Sequence, residues 1–268
     1  KTTNGGNNWS AILSGYANTM FCVTFPNQNT GYAGGAEGTI LKTINGGVTW
    51  SPLNSGSNMY FFGLSAIDQN SVTVSGARVS GSGGMLLRTT NGGTSWNCCL
   101  NPSDTNTVYI SVQYSSANTG YAAGMGGKMV KTVNGGANWT NLSSSATFYD
   151  VESIFFCNET GYGVTDNGEV VTTTNGGNNW TLKFYLPGYR FFAVYFTDAN
   201  TGYLFGCQGE YPNATGVVMK TTNAGSSWTT KFTNSFGSEY YALYFADNNT
   251  GYVFGGGQYG NIKTTNGG

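Results

Sequence analysis

Short runs of alternating apolar and polar residues recur along the chain, and each run is followed by a cluster of Asn, Gly, Thr or Asp. Residues 20–25 (Met-Phe-Cys-Val-Thr-Phe) and 191–196 (Phe-Phe-Ala-Val-Tyr-Phe) are typical of these runs. A period of two residues, with turn signals about every 8–12 positions, predicts β-strands that are joined by tight turns. The pattern therefore predicts an all-β protein.

Two motifs return throughout the sequence. Lys-Thr-Thr-Asn-Gly-Gly-x-x-Trp, or a close variant, recurs with its Asn at positions 4, 45, 91, 134, 175, 223 and 266. Asn-Thr-Gly-Tyr lies between these boxes at 29–32, 118–121, 200–203 and 249–252, with a variant at 159–162. The repeat is therefore 41–48 residues long. A period of about 40–45 residues with four strands in each repeat is typical of the blades of a β-propeller.

The number of first strands sets the predicted number of blades. These strands begin near residues 20, 60, 108, 148, 191 and 240. We predict a single domain over 1–268, a propeller of six four-stranded antiparallel blades, with repeats at 19–58, 59–107, 108–147, 148–189, 190–238 and 239–268 plus 1–18. Residues 7–13 then form the outer strand of the last blade. Because Lys-Thr-Thr-Asn-Gly-Gly occurs at both ends, the alternative is a seven-bladed propeller or a longer array of which this chain is a fragment.

Composition excludes several functional classes. The chain has no histidine, which removes Ser-His-Asp catalysis and histidine-ligated metal sites. A net charge of −1, from 11 Lys+Arg and 12 Asp+Glu, argues against nucleic acid and anionic membranes as partners. Five cysteines follow no zinc spacing, and no apolar run approaches a membrane span. We expect no cofactor and no metal, and the low charge with many neutral polar residues favours an extracellular, cell-surface or periplasmic protein.

The Thr-x-Asn-Gly-Gly-x-x-Trp box resembles the Asp-box of the bacterial neuraminidase repeat, Ser-x-Asp-x-Gly-x-x-Trp. With Asn-Thr-Gly-Tyr added, the chain is similar over nearly its whole length to photosystem II assembly-factor-like and related secreted β-propeller proteins. The resemblance implies that the box is a structural turn on the face away from any active site. Its residues here are Asn4, Trp9, Asn45, Trp50, Asn91, Trp96, Asn134, Trp139, Asn175, Trp180, Asn223 and Trp228. This chain carries Asn wherever the Asp-box has Asp.

The resemblance, together with the strand order, also implies a binding face. The loops that precede the first strand of each blade share this face with the loops between the second and third strands. The candidate ligand-binding residues on it are Tyr16, Arg78, Tyr189, Arg190, Glu210, Tyr211 and Tyr259. Rigid aromatic side chains with a few polar groups suit a protein or a glycan. We expect a non-catalytic module that binds a protein or surface glycan, or a structural unit that assembles into a cell-surface array.

Asp150 and Glu152 are the candidate pair for the alternative, a carbohydrate-active propeller that is a lectin or a glycoside hydrolase. Glycoside hydrolysis needs two carboxylates that lie about 5–9.5 Å apart. Residues i and i+2 share one face of a strand, so the two acids are expected to point the same way. Aligned on Asn-Thr-Gly-Tyr, the other repeats have Met20, Phe61, Tyr109, Phe191 and Tyr240 in place of Asp150, and Cys22, Gly63, Ser111, Ala193 and Ala242 in place of Glu152.

Overall fold

The alternating pattern folds into short antiparallel strands that are joined by tight turns. The structure is a computed structural model. It describes residues 1–12, 15–79, 83–101, 106–142, 146–147, 149–210, 213–234, 240–255 and 261–268. The chain divides into two compact units, residues 1–125 with 129–141 and residues 126–128 with 142–268.

The first unit contains three four-stranded sheets, and in each of them the strand order follows the chain. Sheet 1 is β1 (Met20–Thr24), β2 (Gly31–Gly35), β3 (Thr39–Thr43) and β4 (Ser51–Asn54). Sheet 2 is β5 (Met59–Ala66), β6 (Val72–Arg78), β7 (Gly84–Thr89) and β8 (Asn97–Leu100). Sheet 3 is β9 (Tyr109–Tyr114), β10 (Gly120–Gly124), β11 (Met129–Thr132) and β12 (Thr140–Leu142), with a short 3-10 turn at Met125–Gly127.

The second unit continues the same pattern with two four-stranded sheets and one three-stranded sheet. Sheet 4 is β13 (Val151–Cys157), β14 (Thr160–Thr165), β15 (Glu169–Thr173) and β16 (Thr181–Tyr185). Sheet 5 is β17 (Tyr189–Phe196), β18 (Gly202–Gln208), β19 (Thr215–Thr221) and β20 (Thr229–Asn234). Sheet 6 is β21 (Tyr240–Phe245), β22 (Gly251–Gly255) and β23 (Ile262–Thr264). The predicted all-β propeller fold, built from antiparallel blades, is confirmed.

The last sheet differs in detail from the prediction. Residues 7–13 are predicted as its fourth strand, but residues 1–12 form turns and bends with no strand, and residue 13 lies outside the described residues. Most side chains of this segment are exposed, including Trp9 at 43%. A strand is stabilised by pairing with a neighbour and by burying one face, and residues 1–12 bury little surface. Sheet 6 therefore has three strands within the described part of the chain.

Each unit has its core between consecutive sheets. In the first unit, Ile40 of sheet 1 packs with Phe61 and Val74 of sheet 2. In the second unit, Val164 of sheet 4 packs with Phe191 and Leu204 of sheet 5. Sheets 2 and 5 are covered on both faces, because Leu86 of sheet 2 also packs with Val112 of sheet 3, and Phe205 of sheet 5 also packs with Val253 of sheet 6. This explains why the second and third strands of these two sheets are largely buried.

The tyrosine of the Asn-Thr-Gly-Tyr motif reaches into the next repeat. The hydroxyl of Tyr32 donates to the backbone oxygen of Gln69 at 2.7 Å, and that of Tyr203 donates to Gly267 at 2.8 Å. A lysine of the third strand lies over the same ring, with Lys42 Nζ 5.3 Å from the centre of Tyr32. These contacts give the motif a structural role, because they join one repeat to the turn that follows in the next.

The described ranges contain neither a membrane-spanning helix nor a disulfide. Among the described residues, no helix is long and apolar enough to cross a membrane. All five cysteines lie in this part of the chain, and each of them is a free thiol.

Candidate functional site

A cavity of about 600 Å³ in the first unit contains one predicted ligand-binding residue, Arg78. Its other lining residues are Asn54, Gly56, Ser57, Asn58, Met59 and Met85. Arg78 ends strand β6, and the loop that lines the cavity joins β4 to β5. The guanidinium donates from Nη2 to Asn101 Oδ1 at 2.8 Å. The cavity thus combines a cation, several polar groups and two methionine side chains, which suits a polar or acidic chain segment.

The second unit brings together three other predicted residues of the loop face. Arg190 Nη2 donates to both carboxylate oxygens of Glu210, at 2.9 and 2.7 Å. The two side chains are 44% and 79% exposed, so this ion pair adds little to stability. Tyr189 precedes Arg190 on β17, and its ring centre lies 6.2 Å from that of Phe191. Arg190 and Glu210 therefore offer both charges on a largely exposed surface.

Three carboxylates cluster at the start of sheet 4. The backbone N–H of Asp150 donates to Asp166 Oδ1 at 3.1 Å, and the N–H of Asp166 donates to the backbone oxygen of Asp150 at 3.2 Å. Asp150 Oδ1 accepts a hydrogen bond from the N–H of Gly126 at 2.8 Å. Glu152 lies two residues further along, on β13. Asp166 was absent from the predicted catalytic pair, although the turn after β14 must lie beside the start of β13 because the two strands pair.

Glu152 has a strongly raised pKa in this cluster. Burial, followed by the charges of Asp166 and Asp150, raises the pKa of Glu152 from 4.5 to about 7. Burial and the charge of Asp150 also raise the pKa of Asp166, whereas the Asp150 N–H and the charge of Arg190 lower it. An acid whose pKa lies near neutrality beside other carboxylates is able to donate or accept a proton in water. In the described residues, no group of three or more acids and cysteines has the geometry of a metal site.

Strand pairing corrects the sequence alignment at Glu152. In the pairing of β13 with β14, Val151 pairs with Thr165 and Ser153 pairs with the adjacent Val164. Glu152 has no partner of its own on β14 and is therefore the extra residue of a β-bulge. The same shift occurs in the first strand of every sheet, where the extra residues are Phe21, Phe62, Ile110, Phe192 and Tyr241. Glu152 thus replaces these large apolar residues, and not Cys22 or Gly63 as predicted. The error arises because the turn before Tyr162 is one residue shorter than the turn before Tyr32.

Of the three remaining predicted loop residues, Tyr16 alone lies in the described part of the chain. Tyr16 is 41% exposed in the first unit and does not line the cavity beside Arg78. Tyr211 and Tyr259 lie outside the described residues. Asn54, Ser57 and Asn58, which line the cavity, were not singled out from the sequence. They belong to the loop before β5, and the strand pattern predicts that this loop lies next to Arg78 at the end of β6. The sequence could therefore have indicated these residues through the position of their loop.

The box residues hold a turn. Asn45 Oδ1 accepts hydrogen bonds from the Thr43 hydroxyl at 2.9 Å and from the N–H groups of Val48 and Thr49 at 3.1 and 2.9 Å. Its amide nitrogen donates to Thr49 Oγ1 at 2.8 Å, a bond that an Asp at this position is unable to donate. Gly46 and Gly47 follow with φ of 66° and 78°, which glycine adopts without strain.

The box residues Trp50, Trp139, Trp180 and Trp228 each pack edge-on against an aromatic residue near the end of the first strand. The pairs and their centroid distances are Phe25–Trp50 at 5.9 Å, Tyr114–Trp139 at 6.3 Å, Phe156–Trp180 at 5.7 Å and Phe196–Trp228 at 6.1 Å. Edge-to-face pairs at these distances are favourable. Asn4, Asn91, Asn134, Asn175 and Asn223 accept an N–H bond from four residues further along, as Asn45 does.

Comparison with known proteins identifies the family. A family model described as the Photosynthesis system II assembly factor YCF48 matches residues 1–102 and 99–238. The chain belongs to this family. The resemblance that the box and the Asn-Thr-Gly-Tyr motif predict is therefore confirmed. A search of curated proteins gave no match.

Solved structures with the same fold include members of this family. A structure described as YCF48 bound to D1 peptide has a TM-score of 0.64 and 18% identity, and 97% of each chain is covered. YCF48 from Cyanidioschyzon merolae has a TM-score of 0.58 and 17% identity, with 93% of this chain and 95% of that chain covered. At this identity the similarity shows the fold alone.

The fold is also found in enzymes. The GH74 xyloglucanase from Xanthomonas campestris has a TM-score of 0.74 and 13% identity. The alignment covers 97% of this chain but 46% of the xyloglucanase, so this chain spans under half the length of that enzyme. The similarity again shows the fold, and any activity has to be argued from the residues of the site.

Proposed function

We propose that this chain is an extracytoplasmic, non-catalytic propeller that binds an extended acidic segment of a partner protein in the cavity beside Arg78. The observation that carries the proposal is the position of this guanidinium in a cavity of about 600 Å³ that is lined by polar residues and two methionines. Membership of an assembly-factor family supports it, and so does the structure of a family member with a bound peptide. A guanidinium binds carboxylates with two parallel hydrogen bonds, which favours acidic side chains over their amides.

An array of synthetic peptides tests this function. Each peptide carries Asp or Glu at set positions, and its matched partner carries Asn or Gln. We expect the protein to retain acidic peptides and to release their amide counterparts. The Arg78→Ala variant is expected to lose this binding, whereas Lys183→Ala, which removes an exposed positive charge from β16 in the other unit, keeps it. Equal binding by both variants, or retention of glycans in place of peptides, would contradict the proposal.

The proposed location has a separate test. Low charge and many neutral polar side chains support an extracellular, cell-surface or periplasmic site. Fractionation of the source cells, followed by detection with an antibody against the chain, is expected to find it outside the cytoplasm. Recovery in the cytoplasmic fraction would contradict this part of the proposal without affecting the peptide test.

A glycoside hydrolase is the second candidate, because Glu152 has a pKa of about 7 beside Asp150 and Asp166. Such a group is suited to general acid catalysis, with a neighbouring carboxylate as the base or nucleophile. The test measures reducing ends that are released from soluble xyloglucan by the wild type, by Glu152→Gln and by Glu159→Gln. Release that is lost in Glu152→Gln alone would favour the enzyme. No release by the wild type would exclude a xyloglucanase.

A further inference from the structure

Asn is followed directly by Gly at several places in the chain. The steps lie at 4–5, 45–46, 91–92, 134–135, 167–168, 175–176 and 266–267. Asn before Gly loses its side-chain amide more easily than Asn before other residues, because glycine has no side chain to hinder attack by its own nitrogen. Six of these steps belong to the box motif, and the other, at 167–168, lies in the hairpin turn between β14 and β15.

The box holds both groups that this reaction needs. In each of the six boxes, Asn Oδ1 accepts a hydrogen bond from the Thr hydroxyl two residues earlier, at 2.9–3.0 Å. The next nitrogen is engaged as well, because the N–H groups of Gly46, Gly92, Gly135 and Gly176 donate to backbone oxygens at 2.8–3.0 Å. These bonds fix the side chain and occupy the nitrogen that would attack it.

The turn at 165–169 begins like a box but does not continue like one. Thr165 Oγ1 accepts hydrogen bonds from the N–H groups two and four residues further on, as Thr43 Oγ1 does in a box. In that box, the N–H groups three and four residues after Asn45 bond to its side chain. The residues at these distances from Asn167 already belong to β15, which pairs with β14 and β16. They form part of the sheet and do not turn back to Asn167.

Asn167 is therefore less restrained than the Asn residues of the boxes. No hydrogen bond of its side-chain amide is found among the described residues, and the side chain is half-buried, so part of it contacts water. The N–H of Gly168 donates to the backbone oxygen of Thr165 at 3.2 Å, the long end of the normal range. Gly168 has φ of 77°, which favours glycine and so keeps an Asn-Gly step in this turn.

We propose that Asn167 is the site at which the folded chain deamidates. The Gly168 nitrogen gives its proton to water and attacks Asn167 Cγ, and the side-chain nitrogen takes up a proton and leaves as ammonia. The cyclic succinimide that remains is opened by water at either carbonyl group, which leaves aspartate or isoaspartate in place of Asn167. The net reaction converts an amide and water into an acid and ammonia, so it needs no oxidant or reductant. The inference does not rest on peptide binding beside Arg78 or on glycoside hydrolysis.

The product adds a carboxylate beside the acids of sheet 4. Asp166 directly precedes Asn167 and is hydrogen-bonded to the backbone of Asp150. Deamidation makes the net charge of −1 more negative by one unit. Like charges disfavour ionisation, so the new carboxylate is expected to raise the pKa of Asp166 further. The reaction therefore changes the electrostatics of this cluster as the protein ages.

Ageing of the folded protein in water that is enriched in a heavy oxygen isotope tests the site. The isotope enters the carboxylates that form during ageing, so peptide mass spectrometry distinguishes them from those that form later during digestion. A box Asn reacts only after at least two hydrogen bonds are broken, which implies labelling about 30-fold slower than at Asn167. In urea, where the turns are lost, all the Asn-Gly steps are expected to take up label at similar rates. Equal labelling of Asn167 and the boxes in the folded chain, or an unlabelled Asn167, would overturn the proposal.

Release of ammonia provides a second readout with matched variants. Asn167→Gln keeps a side-chain amide but cyclises far more slowly, because the imide ring is one atom larger. We expect this variant to release less ammonia and to keep its charge on isoelectric focusing, whereas the wild type moves to the band that Asn167→Asp marks. Asn178→Gln, at an exposed position that no glycine follows, is the control and is expected to age like the wild type. A wild type that ages at the same rate as Asn167→Gln would contradict the assignment.

Discussion

Glu152 and Phe192 occupy the same position in neighbouring sheets, because each is the extra residue of the β-bulge in the first strand. Phe192 packs with its ring centre 6.1 Å from that of Phe205. Glu152 instead places a carboxylate next to those of Asp150 and Asp166, and burial raises its pKa to about 7. Sheet 4 therefore tolerates an unfavourable charge at a position where the other sheets have a large apolar residue.

This charge makes stability depend on pH. The pKa of Glu152 is about 7 in the folded chain against a reference value of 4.5, so the folded state binds the proton more tightly. The resulting stabilisation is fully present below pH 4.5 and is lost as pH rises through the folded-state pKa of about 7. At about 1.4 kcal/mol per pKa unit, the difference between 4.5 and about 7 lowers the free energy of unfolding by about 3.5 kcal/mol from this group.

Urea unfolding of Glu152→Gln between about pH 5 and pH 8 measures this dependence. We expect Glu152→Gln to be more stable than the wild type at the higher pH, with a flatter pH profile. Glu159→Gln, an exposed carboxylate in the next turn, serves as the control and is expected to keep the wild-type profile. Parallel profiles for the wild type and Glu152→Gln would show that the charge is not buried as described.

Thiol labelling is expected to divide the cysteines into two groups. Burial raises the pKa of Cys22 to about 12 and that of Cys99 to about 11, and it also raises the pKa of the buried Cys207. The thiolate is the reactive form, so these three react slowly at about pH 8. Cys98 and Cys157 are exposed.

Iodoacetamide labelling of the native chain, read by peptide mass spectrometry, checks this division. We expect rapid modification of Cys98 and Cys157, and modification of the other three only after unfolding in urea. Uniform labelling of all five thiols in the native chain would contradict the burial of Cys22 and Cys207.

The sequence predicts the fold well because the signals for strands and turns are local. Asn-Gly-Gly at 45–47 favours a turn with positive φ, and the alternation at 20–25 favours a strand.

The register between paired strands is harder to predict from the sequence. A one-residue deletion before Tyr162 shifts the alignment of Glu152, and only the pairing of β13 with β14 reveals the bulge. The cavity beside Arg78 depends on how Asn54–Asn58 folds over Met85, which no local pattern encodes.

Ala224 is an exception among the boxes, because it takes the place of the first glycine. It adopts φ of 55°, whereas the glycines at positions 46, 92, 135 and 176 have φ of 66°, 69°, 67° and 64°. An L-residue in this left-handed region costs about 1 kcal/mol relative to glycine. We expect Ala224→Gly to raise the free energy of unfolding by about 0.5–1 kcal/mol.

The reverse substitution, Gly176→Ala in the preceding box, is expected to lower the free energy of unfolding by a similar amount. Both values are measured by urea unfolding of the purified variants. If Ala224→Gly is less stable than the wild type, the gain in unfolded-state entropy exceeds the strain that the turn releases.

Substitution of Tyr32 tests whether the tyrosine hydroxyl of the Asn-Thr-Gly-Tyr motif helps to join neighbouring repeats. The side chain is fully buried, and its hydroxyl donates to the backbone oxygen of Gln69 at 2.7 Å. Tyr32→Phe keeps the ring beneath Lys42 but leaves that oxygen without its donor. A buried acceptor that loses its partner costs about 1–3 kcal/mol, so we expect a loss in this range in the free energy of unfolding.

Tyr185→Phe is the matched control, since that side chain is 47% exposed on the outer strand of sheet 4. Its stability is expected to stay within about 0.5 kcal/mol of the wild type, as is usual for surface substitutions. Hydrogen exchange at the amides of residues 69–73 provides a second readout, because loosening of this contact exposes the start of β6. Equal stability of the two variants, with unchanged exchange at β6, would show that the Tyr32 hydroxyl does not contribute to joining sheet 1 to sheet 2.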